Sequence, residues 1–401
     1  MNYLTQPFYS FLSNQLVLIS LFTIFIIPFS ISYAGTGFSA NYSFVLLPLS
    51  LIIFRQKIII PDKKIVIMML SYCCIFFISF FLQYDFYEYT HRRLISFIVF
   101  MSIFSYMLIN ITENMVFAFK VAIVAFAFIF SLIKIGDYFL VGLDAYFTNK
   151  TKVGSQRFGF VFLLALWIVL LFETKNISTK ILKPIKVFII LLGLLNTFSR
   201  SSVLALVGSV VIFFSMKINY RGQIFSFSNF NIILKYLLLT ILFIFFFNKI
   251  FHIHIEFYSV RIFDYFLEGK FLSEIIQADP TSSLGYRIYM FKHIFSFISD
   301  YPLTGSGFLG CWVMFENAGC SAHNQYGDVL FRTGFFGFII YIYFLFSILN
   351  HLRKKNRDLF FGFLAILIYG VVHETFKLSQ GAFILAFLSA MTYNKSLNHL
   401  S

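Results

Sequence analysis

The sequence predicts an all-α membrane protein with about twelve membrane-spanning helices and one large loop. Hydrophobic residues make up 59% of the 401 residues and the mean hydropathy is +0.85, which is more apolar than a water-soluble surface tolerates. Charged residues amount to 12% and separate apolar runs of about 15–22 residues, close to the length that crosses about 30 Å of hydrocarbon as a helix. The runs lack a period of two, so helices rather than strands are predicted.

Twelve apolar runs are predicted to span the membrane. Their cores are residues 11–32, 42–60, 65–82, 94–109, 115–135, 159–172, 187–198, 202–216, 232–248, 329–349, 359–376 and 381–393. The first run has no positive leading segment and no small-residue cleavage pattern, so we expect a retained span rather than a signal peptide. The chain then divides into spans one to nine over residues 1–248, a large loop over 249–328, and the last three spans with a tail over 329–401.

Lysine and arginine are concentrated in alternate short loops, which indicates the orientation of the chain. The basic loops contain Arg55, Lys57, Lys63 and Lys64; Lys175, Lys180, Lys183 and Lys186; Lys217, Arg221 and Lys235; and Arg353, Lys354, Lys355 and Arg357. We therefore expect both termini in the cytoplasm of a bacterial cell and loop 249–328 on the periplasmic side of the inner membrane. Topology and lipid headgroups, rather than nucleic acid, account for the excess of 31 basic over 17 acidic residues.

A short polar turn, Asn196–Ser202, separates the seventh and eighth predicted spans and contains Arg200. A cation at the boundary of a helical bundle is costly unless it is paired, reaches the headgroups or faces a wet cavity. We therefore interpret Arg200 as a functional candidate, with contact to lipid headgroups as the alternative.

The large loop contains three further motifs. Arg287 precedes an apolar, helix-like stretch over residues 288–298, and His323 lies shortly before the tenth span. Gly305 and Gly307 predict a turn where backbone segments approach closely. A phosphate cradle is the weaker interpretation of this Pro-x-x-Gly-x-Gly spacing.

In this order, the motifs resemble the O-antigen ligase and polymerase family of lipid-linked glycan transferases. The resemblance covers roughly residues 150–345. It rests on Ser199-Arg200-Ser201, Arg287, Pro302-Leu303-x-Gly305-x-Gly307, His323-Asn324-x-Tyr326 and Gly334-x-x-Gly337. Arg157-Phe158-Gly159 is similar to the family's periplasmic Arg-x-Gly element, but Phe160-Val161-Phe162 follows where many members have a Pro-Asn pair.

The resemblance implies a GT-C-like helical bundle that acts as a glycosyltransferase. The donor is a glycan linked through diphosphate to a polyprenyl lipid, and the acceptor is a sugar hydroxyl on another lipid-linked unit. Membrane lipids and a chain-length regulator protein are the further expected partners.

Arginine is expected to replace metal in this reaction, because the sequence contains no Asp-x-Asp pair and a guanidinium donates two hydrogen bonds to phosphate. The candidates are Arg200 and Arg287, with Arg157 third, and no metal or other cofactor is expected. For Arg287 the alternative is an ordinary solvated loop cation. His252 and His254 are spaced like metal ligands, but no further ligand cluster completes such a site.

His323 is the candidate general base for the acceptor hydroxyl, since an imidazole titrates near neutral pH. Glu316 or Asp328 is a candidate for orienting it, with a solvated loop charge as the alternative. The resemblance also implies substrate binding by Asn324 and Tyr326.

His293 lies among apolar residues of the predicted helix and is interpreted as structural. The remaining candidates are Cys311 and Cys320, whose periplasmic placement favours a disulfide over two free thiols.

Three functions are compatible with the sequence: two reactions of the family and one transport function. A polymerase is favoured over a ligase because the Phe-rich spans, with 60 Phe in the chain, and the modest motif match resemble the divergent polymerases. The transport alternative is a flippase for the lipid-linked unit. It is disfavoured because no repeat is visible and the candidate residues gather at one membrane face.

Overall fold

The structure, a computed structural model, describes part of the chain and is helical throughout that part. The described residues are 67, 74, 111, 113–141, 158–172, 177–197, 199–221, 283–307, 322–376 and 379–393, and they contain no strand. Four predicted spans lie outside them: 11–32, 42–60, 94–109 and 232–248. Within the predicted span 65–82 only Ile67 and Cys74 are described, and both are helical.

Eight helices have described bounds. They are α1 Glu113–Val141, α2 Gly159–Leu171, α3 Ile177–Asn196, α4 Arg200–Arg221, α5 Ser283–Asp300, α6 Gln325–Lys355, α7 Arg357–Tyr369 and α8 Ser379–Tyr393. Two segments among the described residues are long and apolar enough to cross a membrane, Met115–Ile133 within α1 and the whole of α6. Shorter apolar helices cover Gly159–Leu171, Ser201–Met216 and Gln380–Tyr393. The twelve-span count itself stays a prediction.

The described helices differ from the predicted spans at their ends, most at the start of α3 and the end of α7. The predicted span 187–198 is the second half of α3, which begins at Ile177 and continues through Pro184. The predicted span 359–376 was too long at its carboxyl end, because α7 ends at Tyr369. There the Gly370 carbonyl accepts a hydrogen bond from the Gln325 N–H at 2.8 Å, and residues 370–376 form a turn.

The chain forms two compact units. The first comprises residues 1–122, 286–355 and 370–401. In its core, Met290, Ile294 and Ile298 recur every four residues on one face of α5 and pack against Phe331 of α6. Elsewhere in this unit, the Tyr393 hydroxyl of α8 donates a hydrogen bond to Ser347 Oγ of α6 at 2.9 Å.

The second unit comprises residues 123–285 and 356–369, and α2 is its central helix. Every residue of α2 from Gly159 to Val169 is buried, because α3, α4 and α7 pack around it. Trp167 Nε1 donates a hydrogen bond to Ser209 Oγ at 3.0 Å, and its ring stacks on Phe361 with centroids 5.0 Å apart. Gly362 lets α7 approach Leu164 closely, as small residues do at helix interfaces in membranes.

Helix α6 is kinked at Gly334, where φ is 63° and ψ is −171°. A regular helix would join the Phe335 N–H to the Phe331 carbonyl. Instead, the Phe335 N–H donates to the Pro302 carbonyl and the Ser306 N–H donates to the Phe331 carbonyl, each at 2.7 Å. The 302–306 loop is therefore inserted into the hydrogen-bond ladder of α6. This confirms the close backbone approach predicted from Gly305, whose Cα lies against the Phe331 carbonyl oxygen.

Gly334→Ala is expected to destabilise the protein strongly. The backbone conformation at Gly334 belongs to a region that essentially only glycine adopts, and a Cβ would lie 2.5 Å from the Leu303 carbonyl carbon. Backbone atoms cannot rotate away as a side chain can, so we expect a loss of roughly 2 kcal/mol or more. Thermal unfolding of the detergent-solubilised protein measures it.

Gly327→Ala is the matched control in the same helix. A Cβ on Gly327 would have its nearest neighbours at 3.6 Å, an ordinary contact distance, and alanine favours helix over glycine. We expect this variant to unfold at or slightly above the wild-type temperature. Equal unfolding temperatures for the two variants would contradict the prediction.

Candidate functional site

Arg287 and His323 both belong to the first unit, on segments that contact each other. Arg287 lies in the first turns of α5, and His323 lies two residues before α6. The ring of Tyr286, next to Arg287, meets the His323 ring edge-on with centroids 5.5 Å apart. The packing of α5 on α6 thus places His323 against the residue that precedes Arg287.

His323 has a left-handed backbone conformation, with φ at 48°. Few residues other than glycine adopt it, and such strain persists where the surrounding structure imposes it. The neighbouring Ala322 N–H donates to Glu374 Oε1 at 2.9 Å, which holds the chain on one side. On the other side Asn324 immediately precedes α6 and bonds to its first turn, so the backbone of His323 is held from both directions.

Asn324 is the N-cap of α6. Its Oδ1 accepts hydrogen bonds from the N–H groups of Tyr326 at 2.9 Å and Gly327 at 3.0 Å. These are amide groups that the first turn of a helix leaves without a partner inside the helix. The side-chain oxygen of Asn324 thus has a structural role, and substrate binding by Asn324 and Tyr326 stays a prediction.

The turn over residues 370–376 brings a second histidine to this site. Besides the Ala322–Glu374 bond, the Gln325 N–H donates to the Gly370 carbonyl at 2.8 Å, and the Phe376 N–H donates to Gln325 Oε1 at 2.9 Å. These bonds tie the turn to the segment that contains His323. His373 lies in the middle of this turn and is partly buried.

The imidazole of His373 is neutral at physiological pH. Its pKa is lowered to about 4, first by burial and then by electrostatic repulsion from Arg287 and from the His323 side chain. Burial opposes protonation because the imidazolium would leave water, and nearby cations oppose it by repulsion. The guanidinium of Arg287 is a permanent cation, so the site combines a fixed positive charge with an imidazole that is neutral beside it.

Asp328, one candidate for orienting His323, forms an ion pair inside α6. Its Oδ2 accepts a hydrogen bond from Arg332 Nε at 2.9 Å, and both side chains are buried. The spacing of four residues places the two groups on the same face of the helix. Orientation of His323 by Asp328 stays a prediction.

Residues 185–342 match the O-antigen ligase family model. The match supports the O-antigen ligase/polymerase family and, with the apolar helices, a membrane protein with a glycosyltransferase-like activity. A search of curated proteins found no match. The matched range includes Arg200, Arg287 and His323, so these candidate residues lie within the O-antigen ligase family region.

Arg200 lies in the second unit, whereas Arg287 and His323 lie in the first. It is the first residue of α4, after a turn in which Ser199 Oγ accepts a hydrogen bond from the Ser202 N–H at 3.3 Å. A role for Arg200 in diphosphate binding stays a prediction. Several other candidates lie outside the described residues: Arg157, His252, His254, Cys311, Glu316 and Cys320.

His373 and Glu374 are members of the site that sequence reasoning missed, and they lie beyond the O-antigen ligase family match. The sequence did contain an indication of them, because the predicted span 359–376 included these two adjacent ionisable residues. Such residues are expensive in a membrane span and indicate a functional site or a wrong span boundary. Among the described residues, no group of three or more His, Cys, Asp and Glu side chains is arranged to hold a metal.

Proposed function

We propose that this protein is an O-antigen polymerase that extends a lipid-linked glycan at the periplasmic face of the bacterial inner membrane. The donor glycan is linked through diphosphate to a polyprenyl lipid, and the acceptor is a sugar hydroxyl of another lipid-linked repeat unit. The observation that supports this most is that His323 packs against Tyr286, the neighbour of Arg287 in sequence, and that Arg287 and His323 both act electrostatically on His373. Arg287 and His323 also lie within the region that matches the O-antigen ligase family.

Arg287 stabilises the leaving group in this mechanism. The bond between the anomeric carbon and the diphosphate oxygen breaks, and the oxygen keeps the electron pair. A guanidinium spreads its charge over a planar fork that matches two phosphate oxygens, and it stays ionised even where water is partly excluded. Arg200 and Arg157 are proposed to assist in diphosphate binding.

His323 accepts the proton of the acceptor hydroxyl as that oxygen forms its bond to the anomeric carbon. A neutral imidazole is suited to this step because it gains and loses a proton near neutral pH. The fixed backbone on both sides of His323 and the edge contact with Tyr286 restrict the ring to few orientations. Such restriction favours catalysis because reacting groups need not be ordered during the reaction.

An O-antigen ligase is the second candidate, favoured by the description of the matching family model itself. A ligase would use the same donor and the same two residues, but its acceptor would be a sugar of the lipopolysaccharide core. The two reactions differ in the acceptor alone.

Lipopolysaccharide banding of a deletion strain separates the candidates. A polymerase deletion should leave a single repeat unit on the core. Bare core with accumulated lipid-linked polymer would establish the ligase instead. Bare core with units retained on the inner leaflet would contradict both transferases and indicate a flippase.

Glycan transfer is expected to be independent of divalent metal. This prediction follows from the missing Asp-x-Asp pair and from the arginines proposed in its place. Purified protein with defined lipid-diphosphate substrates should extend chains at an unchanged rate in excess chelator. Loss of activity that only magnesium or manganese restores would contradict the prediction.

A further inference from the structure

Arg287, His323 and His373 come from three separate segments and form one cluster of cationic and titratable groups. Arg287 is on α5, His323 precedes α6, and His373 is in the turn after α7. The Tyr286–His323 ring contact and the three hydrogen bonds between residues 322–325 and the turn hold the segments together. The nearby carboxylate is that of Glu374, which accepts the Ala322 N–H.

The imidazole of His373 is not among the groups that make those three hydrogen bonds. The turn is tied by the Gly370 carbonyl, the Glu374 carboxylate and the Phe376 N–H. Position 373 holds a titratable group near the permanent cation of Arg287, whose charge opposes protonation of the imidazole before an anion binds.

We propose that His373 completes a diphosphate-binding site with Arg287 and takes up a proton when the diphosphate binds. The inference rests on the proposed function, because it assigns the anion to the donor lipid. Two adjacent phosphates bring negative charge to a partly buried site, and an anion close to an imidazole favours its protonated form. Binding of the anion thereby reverses the electrostatic field that opposes protonation of His373.

The bound proton would give the leaving group a second cation. When the anomeric bond breaks, the diphosphate retains the electron pair, and Arg287 and protonated His373 share its charge. The acceptor proton goes to His323, so the two histidines exchange protons with different partners. When the diphosphate lipid leaves, His373 returns its proton to solvent. His323 likewise releases the acceptor's proton to solvent, so both imidazoles are neutral again and the cycle is balanced.

Proton uptake can be counted by titration calorimetry of the full chain in detergent, in two buffers that differ in ionisation enthalpy. The probe is a diphosphate diester with a short prenyl group on one phosphate and a methyl group on the other. Both phosphates of a diester stay ionised throughout the pH range used, so the probe itself takes up no proton. The measurement is made at about pH 6 and about pH 8, on either side of the usual range for histidine.

The wild type should take up roughly 0.5–1 proton per bound probe at about pH 6. His373→Asn should lose most of this uptake and bind the probe roughly tenfold more weakly at about pH 6, with a smaller difference at about pH 8. His323→Asn should keep the uptake. His293→Asn is the matched control, since His293 is on α5 against Tyr289, with ring centroids 4.3 Å apart, and should behave as the wild type.

Binding without proton uptake by the wild type would overturn the inference and leave the proposed function standing. The inference also fails if His373→Asn takes up as many protons as the wild type. It fails as well if the affinity loss of His373→Asn is the same at both pH values, which is the result expected for a purely structural role of His373. His373→Gln provides a second variant in case the asparagine does not fold. Absence of binding by the folded wild type would contradict the proposed function as well.

Discussion

Changing His323 to alanine should lower the rate of glycan transfer by roughly 100- to 10,000-fold, the usual contribution of a positioned acid or base. The loss is expected in kcat rather than in donor affinity. His323 is proposed to act on the acceptor hydroxyl, which changes its protonation only as the new bond forms. An interaction made only in the transition state lowers kcat and kcat/KM together when it is removed.

Chain extension from defined lipid-diphosphate substrates measures this effect, with donor binding determined separately for each variant. His293→Ala is the control, because it removes an imidazole of the same unit whose ring packs against Tyr289 of α5. His323→Gln should fail almost as badly as the alanine variant, since an amide cannot take the proton. Near-normal turnover by His323→Ala would show that another group is the base.

At Arg287, lysine is expected to be almost as poor a substitute as alanine. Removal of one positioned donor to a developing oxyanion typically lowers kcat by roughly 100- to 1,000-fold. A lysine keeps the charge but presents it as a compact, strongly hydrated point, so it cannot match two phosphate oxygens at once. Both variants should also bind the donor more weakly, because the diphosphate is charged before as well as during the reaction.

Donor affinity separates the roles of the two residues. We expect donor affinity to fall in both Arg287 variants and to stay nearly constant in His323→Ala. Affinity and turnover must therefore be measured on the same preparations. Arg353→Lys is the control, since Arg353 is exposed in the last turn of α6. Retention of most activity by Arg287→Lys would show that a point charge is sufficient, and equal affinity losses in Arg287→Ala and His323→Ala would contradict the assigned roles.

Apolar periodicity located the described helices well. The predicted spans 159–172 and 381–393 nearly coincide with α2 and α8, and the stretch predicted as helical after Arg287 belongs to α5. A long apolar run is a local property, so the sequence alone reveals it. Prediction was less successful at helix ends, where a residue distant in sequence supplies a hydrogen bond, as Gln325 does at Gly370.

The site was only partly predictable for the same reason. The resemblance of the sequence motifs selected Arg287 and His323, and the structure brings them together. Sequence reasoning missed His373 because the apolar run that predicted a membrane span continued past the end of α7 and included this residue. The ion pair between Asp328 and Arg332 was missed because the predicted span 329–349 begins one residue after Asp328, whereas α6 begins at Gln325. Asp328 is therefore a buried helical residue, and its interpretation as a solvated loop charge was wrong.

The insertion of the 302–306 loop into α6 has a consequence for hydrogen exchange. The Ser306 and Phe335 amides bond to opposite sides of the same junction, so withdrawal of the loop exposes both. They should exchange with solvent together, as one cooperative opening unit, at a rate set by the stability of the kink rather than by the loop's own sequence. Entry of a bulky lipid by lifting this loop would break the helix that follows His323, so we expect substrates to reach the site without such an opening.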